Sequence, residues 1–366
     1  MPHWSDHRAL DLLRISQPIV QAPMAGAQGV ELAIAVSRAG GLGSLPCAML
    51  TPAQVAEQVA AFRAASSGPL NLNFFCHQPP TPDAARELAW RERLAPFYRE
   101  LGLGPDTPIP VSNRAPFDDA FCKVVEALRP EVVSFHFGLP APDLLARVKA
   151  SGAVVLSSAT TVAEARWLAA NGCDAVIAQG LEAGGHRGLF LNDEVCAQPG
   201  LMALLPQVVR AVDVPVIAAG AIADGRGMAA ALRLGAAAVQ VGTAYLFCPE
   251  ARISAPHRAA LMAAEDNTAL TNVFTGRPAR GILNRAMREL GPISPLAPAF
   301  PLAGGALAPL RAAAEAQGNG DFSPLWAGQA VASARETAQG LDATTLTQRL
   351  ADDAHTWLRA QPAGVQ

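Results

Sequence analysis

The sequence predicts an α/β protein in which a (β/α)8 TIM barrel carries a smaller, mainly helical cap domain. Eight short apolar segments have the length and continuous hydrophobicity of strands that are buried on both faces. Helical patterns separate most of these segments, which mostly start about 20 to 30 residues apart. Eight such units close most naturally into a barrel. An open, doubly wound sheet is the alternative, but its spacing would usually be less regular.

The composition indicates a globular chain that can bury a large core. Hydrophobic residues make up 51% and charged residues 16% of the 366 residues, which is too apolar for disorder. A formal net charge of −3 gives no reason to expect nucleic acid or membrane as a partner. The N-terminus has no apolar signal core, so we expect a cytoplasmic protein. The six cysteines include no Cys-x-x-Cys pair, which indicates neither a metal site nor a disulfide framework.

The first three strand segments are predicted at 18–24, 42–45 and 70–75. The helix between the first two ends at Gly40 and Gly41, because glycine favours helix termination. Thr51 and Pro52 begin the second helix as N-cap and first helical residue, and this helix extends to about Ala65.

The other five strand segments are predicted at 132–137, 153–158, 175–180, 215–220 and 238–243. Helices near 141–150, 161–171, 200–211 and 224–235 separate them. Two intervals are longer than the others, one between strands three and four and one after strand six. Insertions that follow strand carboxyl ends lie over the active face of a barrel. We therefore assign 1–75 and 129–250 to the barrel, and 76–128 and 251–366 to the cap. The last 120 residues show no further strand pattern and look helical.

A glycine-rich loop follows the sixth strand and surrounds His186 with Gly184, Gly185 and Gly188. Glycine at this density allows close approach of the backbone to a ligand. An imidazole just past a barrel strand lies where this fold places its chemistry. Glu182 and Arg187 flank the loop, and the simplest expectation is that they pair with each other.

Strands seven and eight run into Gly220 and into Gly242 followed by Thr243. Barrels bind phosphate on backbone N–H groups at these two strand ends. Three other strand ends offer candidate ligand contacts, namely Met24, Asn73 and His136. Methionine can pack on a flat ring, and an amide can both donate to and accept from one. No carboxylate pair or Ser/His/Asp order appears, which suggests that a bound cofactor carries the reaction.

These motifs together resemble the nitronate monooxygenases, formerly called 2-nitropropane dioxygenases, and most closely the bacterial class I branch. The resemblance covers essentially the whole chain, including the segments 21–24, 134–138, 178–188, 240–243 and 275–285. It implies a TIM barrel with a smaller substrate-binding domain and one non-covalent FMN. The matching flavin-contact positions are Met24, Asn73, Gln179, Gly184, Gly220, Gln240, Gly242 and Thr243. His186 matches the catalytic histidine of the family, and His136 matches the second active-site histidine.

The activity implied is oxidation of an alkyl nitronate by O2 to a carbonyl compound and nitrite, without NAD(P)H. His186 would stabilise the nitronate charge, or would take the α-proton of a neutral nitroalkane. One departure concerns the substrate. Close class I relatives place tyrosines and a lysine in the pocket from 291–310, where this chain has Phe300, Gly304 and Ala308. Loss of that lysine removes a cation that would bind small anionic nitronates.

Two other functions remain open from the sequence. Flavin-dependent enoyl-carrier-protein reductases carry a similar Glu-Ala-Gly-Gly-His loop, and they would use NAD(P)H. Gln179, where those reductases tend to have glutamate, favours the monooxygenase. The third possibility is a flavin-binding protein with a diverged pocket and no turnover. The monooxygenase would take a small-molecule substrate, an alkyl nitronate or nitroalkane, together with O2. The reductase would also act on a small molecule. We expect a monomer or a homodimer.

Overall fold

The computed structural model describes residues 4–112 and 114–360, and its centre is a closed barrel of eight parallel strands. The barrel strands are β1 Ile19–Gln21, β2 Gly43–Pro46, β3 Leu70–Phe75, β4 Val132–His136, β5 Val154–Ala159, β6 Ala175–Gln179, β8 Val216–Ala219 and β9 Ala238–Val241, while the short β7 Gly185–His186 belongs to another sheet. The strand order is β1-β9-β8-β6-β5-β4-β3-β2. A parallel bridge between Val20 and Leu42 joins the two ends. The predicted barrel is therefore confirmed.

Each predicted strand segment overlaps one barrel strand, although the first ends at Gln21 instead of Met24. Barrel strands are almost wholly buried, which is why they read as continuous apolar runs. The helices around them are α1 Arg8–Leu13, α2 Val30–Arg38, α3 Pro52–Ala65, α5 Asp119–Leu128, α6 Pro142–Ala150, α7 Val162–Ala170, α8 Leu201–Ala211 and α9 Gly225–Arg233, and α4 Ala84–Glu100 lies in the insertion after β3. Thr51 and Gln54 form a reciprocal capping box before Pro52, so the predicted start of α3 is confirmed.

The last 120 residues contain strands, and the expectation that they lack any is wrong. Strands β10 Thr268–Thr271 and β11 Ala279–Ile282 pair antiparallel, and β11 also pairs with β7. The register places Ala279 opposite His186. Such short strands carry little periodicity, and the partner of β11 is a two-residue strand far away in the sequence. Only the folded chain brings them together.

The remaining helices are α10 Ala255–Ala263, α11 Arg285–Leu290, α12 Ala303–Ala316, α13 Val331–Ala338 and α14 Ala343–Arg359. Helix α12 packs on α4, so the two segments assigned to the cap share one hydrophobic cluster, which includes Trp90 and Leu310. Helix α14 instead packs on α9 and α2 of the barrel, where the Thr347 hydroxyl lies 2.7 Å from that of Tyr245. Helix α5 also contacts barrel helices, α3 and α6. The division into barrel and cap at the stated residues stays a prediction.

Candidate functional site

One cavity of about 260 Å³ lies at the carboxyl ends of the barrel strands and brings all ten candidate residues together. They are Met24, Asn73, His136, Gln179, Gly184, His186, Gly220, Gln240, Gly242 and Thr243. Seven different strands or strand ends contribute them, in keeping with the position of active sites in this fold. The roles assigned to these residues stay predictions, whereas their convergence is a property of the structure.

The loop from β6 to β7 holds His186 over the cavity, and glycine is required in it for steric reasons. A Cβ at Gly184 would lie 2.6 Å from the backbone nitrogen of Gly328. A Cβ at Gly188 would lie 2.9 Å from Cε1 of His136. Gly185 has φ +72°, a left-handed conformation that favours glycine. The loop is therefore packed against its neighbours.

Gln179 fixes the backbone of this loop at two points. Its amide nitrogen donates to the carbonyl oxygen of His186 at 3.0 Å, and its amide oxygen accepts from the N–H of Gly188 at 2.8 Å. One amide N–H remains for a ligand, because a primary amide has two donors. Gln179 consequently positions the catalytic candidate as well as lining the cavity.

Arg187 and Glu182 do not pair, so the expected ion pair between them is wrong. The buried guanidinium donates to the carbonyl oxygens of Gln179 and Gly180 and to the side-chain oxygen of Gln198, at 2.7 to 2.9 Å. Glu182 accepts from the N–H of Leu201 at the start of α8. Burial lowers the pKa of Arg187 to about 10. Hydrogen bonds to oxygen atoms of the chain therefore satisfy the buried charge of Arg187. The closeness of Glu182 and Arg187 in the sequence could not indicate this.

Both histidines of the site are held as neutral imidazoles. Burial lowers the pKa of His136 to about 4, and it lowers the pKa of His186 well below 6.5, with further contributions from Arg114, His136, Arg277 and His77. His136 Nε2 lies 3.2 Å from the carbonyl oxygen of His186, which can only accept, so Nε2 carries the proton. His136 Nδ1 then accepts from the Ser158 hydroxyl at 3.1 Å.

Thr275 sets the tautomer of His186. The Thr275 hydroxyl donates to the carbonyl oxygen of Arg277 at 3.4 Å and lies 3.0 Å from His186 Nε2. Nε2–H is then the donor to Thr275, which leaves Nδ1 as the basic nitrogen of the neutral ring. Sequence reasoning did not single out Thr275, because its partner is remote in the chain.

Aromatic rings surround His186. Phe300 lies 5.4 Å and Trp326 lies 5.6 Å from its ring, and Phe75 and Phe137 lie 6.3 and 6.1 Å away, each between centroids. Phe300 therefore lies beside His186, although it is not among the residues that line the cavity. The cavity lining includes neither Gly304 nor Ala308. A Cβ at Gly304 would lie 2.6 Å from the carbonyl oxygen of Phe274, which excludes any larger side chain without movement.

Sequence reasoning missed Arg114 and the pair Arg311 and Glu315, which all line the cavity. Arg114 follows the proline-rich part of the 76–128 insertion, where no periodic pattern places a side chain. Arg311 Nε lies 2.9 Å from Glu315 Oε1 on α12. Their approach to the barrel depends on how the two remote segments pack, so the sequence carried no local signal for them.

The lining suits a flavin on chemical grounds. The side-chain oxygen of Gln240 is buried without a hydrogen-bond partner among the described residues, although it lies in the cavity wall. An unpaired buried acceptor is costly and calls for a donor such as a heteroaromatic N–H. A Cβ on Gly242 would lie 3.4 Å from Cβ of Ala22 and 3.8 Å from the sulfur of Met24, both ordinary contact distances, so Gly242 and Met24 border the same wall of the cavity. Gly220 has φ +124° directly after β8, at a strand end where this fold can bind an anion on backbone N–H groups.

Two further features bear on ligands. Within 4–112 and 114–360, no cluster of three or more His, Cys, Asp or Glu has an arrangement suited to a metal ion. In the same part of the chain, no helix combines the length and apolarity needed to cross a bilayer.

Fold and cavity together define a TIM-barrel protein with a ligand site at the carboxyl end of the barrel, lined by neutral histidines, amides and glycines. The family model described as nitronate monooxygenase matches residues 6–344. The chain therefore belongs to the nitronate monooxygenase family, and the resemblance inferred from the motifs is confirmed.

Relatives of similar length support this assignment. The "Nitronate monooxygenase" of Pseudomonas aeruginosa is 43% identical over 344 residues, which cover 93% of this chain and 97% of the relative. The protein of the same name from Paraburkholderia phytofirmans is 43% identical over 89% of this chain and 90% of its own. These names indicate an oxidoreductase.

Two solved structures share the fold. Nitroalkane oxidase from Streptomyces ansochromogenes has a TM-score of 0.85 and 39% identity, and the match covers 95% of this chain and 98% of that one. FabK from Thermotoga maritima has a TM-score of 0.70 and 26% identity over 97% of this chain and 98% of its own. The second likeness is the weaker one, in sequence and in structure.

Proposed function

We propose that this protein binds FMN in the cavity and oxidises alkyl nitronates with O2 to a carbonyl compound and nitrite, without NAD(P)H. The observation that carries the proposal is the neutral His186, whose backbone is held by Gln179 and His136 and whose Nε2 is held by Thr275. A rigid, correctly oriented side chain is what general acid–base and electrostatic catalysis require. The cytoplasmic location and the monomeric or homodimeric assembly stay predictions.

The residues that would hold FMN are those that line the cavity with unused polar capacity. Gln240 offers its unpaired oxygen, and Gly220 and Gly242 offer backbone N–H groups at strand ends. The Thr243 hydroxyl accepts from the N–H of Gly328 at 3.0 Å, so its own hydrogen stays available to a phosphate or ribityl oxygen. When bound, FMN would supply the electron acceptor and the centre that reacts with O2.

The protein's own part in the reaction is binding, orientation and proton handling. A nitronate is already an anion, so its oxidation needs no base, and His186 would orient it. For a neutral nitroalkane, Nδ1 of His186 is the nitrogen free to take the α-proton. The positive charges that oppose protonation of His186 would be offset by a bound anion, because an opposite charge raises the pKa of a base. Four aromatic rings keep water away from this centre.

The test is anaerobic mixing of the purified flavoprotein with ethylnitronate, propionate 3-nitronate or NADH in separate experiments, followed by flavin absorbance. We expect each nitronate to bleach the flavin and nitrite to appear when air is admitted. NADH should leave the flavin oxidised on the same time scale. Bleaching by NADH alone would replace the proposal with the NAD(P)H-dependent reductase that the sequence left open. No bleaching by any of the three would contradict both.

A further inference from the structure

Arg114 is a cavity-lining cation without a counterion. It lies on the connection between α4 and α5, and its side chain is half-buried. Among residues 4–112 and 114–360, no carboxylate contributes to the electrostatic environment of Arg114, and the nearby charge that does is that of Arg311. The second arginine of the cavity differs, because Arg311 pairs with Glu315 at 2.9 Å.

A half-buried, unpaired guanidinium is expensive to maintain, because desolvation disfavours the charged form. Burial lowers the pKa of Arg114, and the group still stays charged at neutral pH. The Arg114 charge also acts on the imidazoles of His186 and His77, so it is felt at the catalytic centre. An anionic ligand in this cavity would supply the missing partner.

Arg277 is the other cation that acts on His186, but its position makes it a structural group. Its guanidinium stacks on the ring of Phe137 at 4.1 Å and donates to the carbonyl oxygen of Leu189. Arg277 is also absent from the residues that line the cavity. The two lysines of the chain, Lys123 and Lys149, lie on α5 and α6 and pair with Asp119 and Asp174. Among the described residues, Arg114 is therefore the cavity-lining arginine that has no carboxylate partner.

We infer that Arg114 determines specificity for anionic substrates by pairing with their negative charge, while their apolar part packs against Phe75 and Trp326. This inference rests on the proposed function, which supplies the substrate class, a nitronate with an apolar body. It adds the residue that binds the negative charge and the way in which the substrate lies in the cavity. A planar guanidinium suits the two oxygens of a nitronate or carboxylate, which it can contact in bidentate fashion. Phe75 and Trp326 line the cavity, and their rings suit a larger apolar body than that of ethylnitronate.

The test compares Arg114→Gln, Arg114→Lys and the control Arg91→Gln in the full-length flavoprotein. Arg91 is exposed on α4 of the same insertion and lies outside the cavity, so its substitution removes the same charge without touching the lining. Calorimetry measures binding of phenylacetate and of phenylacetamide, which have similar shape and differ in charge. Steady-state kinetics with ethylnitronate gives KM and kcat for the same proteins.

We expect the unsubstituted protein to prefer phenylacetate, and Arg114→Gln to weaken phenylacetate binding about 10- to 100-fold, as loss of a charged hydrogen bond predicts. Phenylacetamide binding should change less than about threefold. Arg114→Lys should restore part of the preference, and Arg91→Gln should keep all of it. For ethylnitronate, KM should rise far more than kcat falls, because the interaction is uniform binding.

The two proposals fail in different ways. If the protein oxidises nitronates and Arg114→Gln binds phenylacetate as tightly as the parent, the inference about Arg114 is wrong and the proposed function stands. Equal weakening in Arg91→Gln would also overturn it, since a general loss of positive charge would explain both. If no nitronate is oxidised but phenylacetate binding depends on Arg114, the proposed function fails and the anion site stands.

Discussion

At the scale of single residues, the site depends on a histidine that the fold keeps neutral and oriented. Three contacts fix it: the carbonyl oxygen of His186 accepts from Gln179 and His136, and Nε2 lies against Thr275. The remaining nitrogen, Nδ1, is the basic one. The proposed function gives this ring two uses, binding of an anion and removal of a proton, and the two can be measured separately.

His186→Asn should separate these uses. Asparagine can still donate a hydrogen bond to an anion, but it cannot take a proton. We expect kcat/KM for neutral nitroethane to fall about 10²- to 10⁴-fold, the usual contribution of a general base. The value for ethylnitronate should fall only about tenfold. Steady-state oxygen consumption with each substrate measures both. Equal losses would show that His186 acts on the two substrates in the same way and has no role as a base.

Gln240→Leu should weaken FMN binding. The buried side-chain oxygen of Gln240 has no partner among the described residues, so a bound flavin would be its donor. Loss of one such hydrogen bond is worth about 0.5 to 1.5 kcal/mol, or roughly a 2- to 13-fold rise in the Kd. Titration of the apoprotein with FMN, followed by fluorescence quenching, gives this Kd. Gln207→Leu on the exposed side of α8 is the matched control and should bind FMN like the parent. Equal affinities in all three proteins would count against the contact.

At the scale of elements, the glycine-rich loop that carries His186 packs between the barrel and the C-terminal segment. Strand β7 lies within the glycine-rich loop and pairs with β11, and Gly184 packs against the backbone at 327–328. The barrel strands were predictable because most of them are short, mainly apolar segments at regular spacing, separated by helical patterns. The small antiparallel sheet was not, because neither β7 nor β11 has a local pattern. The same contrast holds for side chains: His186 was found from its motif, whereas Arg114 and Thr275 depend on contacts between remote segments.

Gly184→Ala should disturb the packing of the glycine-rich loop against the backbone at 327–328. The added methyl group would lie 2.6 Å from the carbonyl carbon of Ala327 and from the nitrogen of Gly328, both of which are backbone atoms. We expect a loss of about 1 to 3 kcal/mol in the free energy of unfolding, as for other overpacked sites, together with a loss of activity. Urea denaturation and nitrite release measure the two effects. Gly104→Ala is the control, because nothing lies within 4 Å of its Cβ position. An active, fully stable Gly184→Ala protein would contradict the described packing of the loop.

At the scale of the whole molecule, the fold buries histidines in their neutral form in both the barrel and the C-terminal region. Burial lowers the pKa of His77, His136 and His257 to about 4, and that of His186 falls well below 6.5. In the unfolded chain, histidine has a pKa of about 6.5. Above this pH both states are neutral and the stability is complete. As the pH falls from 6.5 towards 4, the unfolded chain takes up protons that the folded protein does not, so unfolding is favoured.

The protein should therefore lose stability in mild acid, before its carboxylates titrate. Each such histidine lowers the free energy of unfolding by up to about 1.4 kcal/mol per pH unit within this window. Urea denaturation at pH 7.5 and pH 5.0 should show a clear fall for the parent protein. His257→Gln tests the cause, because glutamine can still donate to the carbonyl oxygen of Trp326, which lies 3.1 Å from His257 Nε2. Between the two pH values, the free energy of unfolding should fall less in this variant than in the parent, and the difference should equal the contribution of one histidine. An equal loss in both proteins would mean that His257 takes up its proton in the folded state, and that another group causes the acid sensitivity.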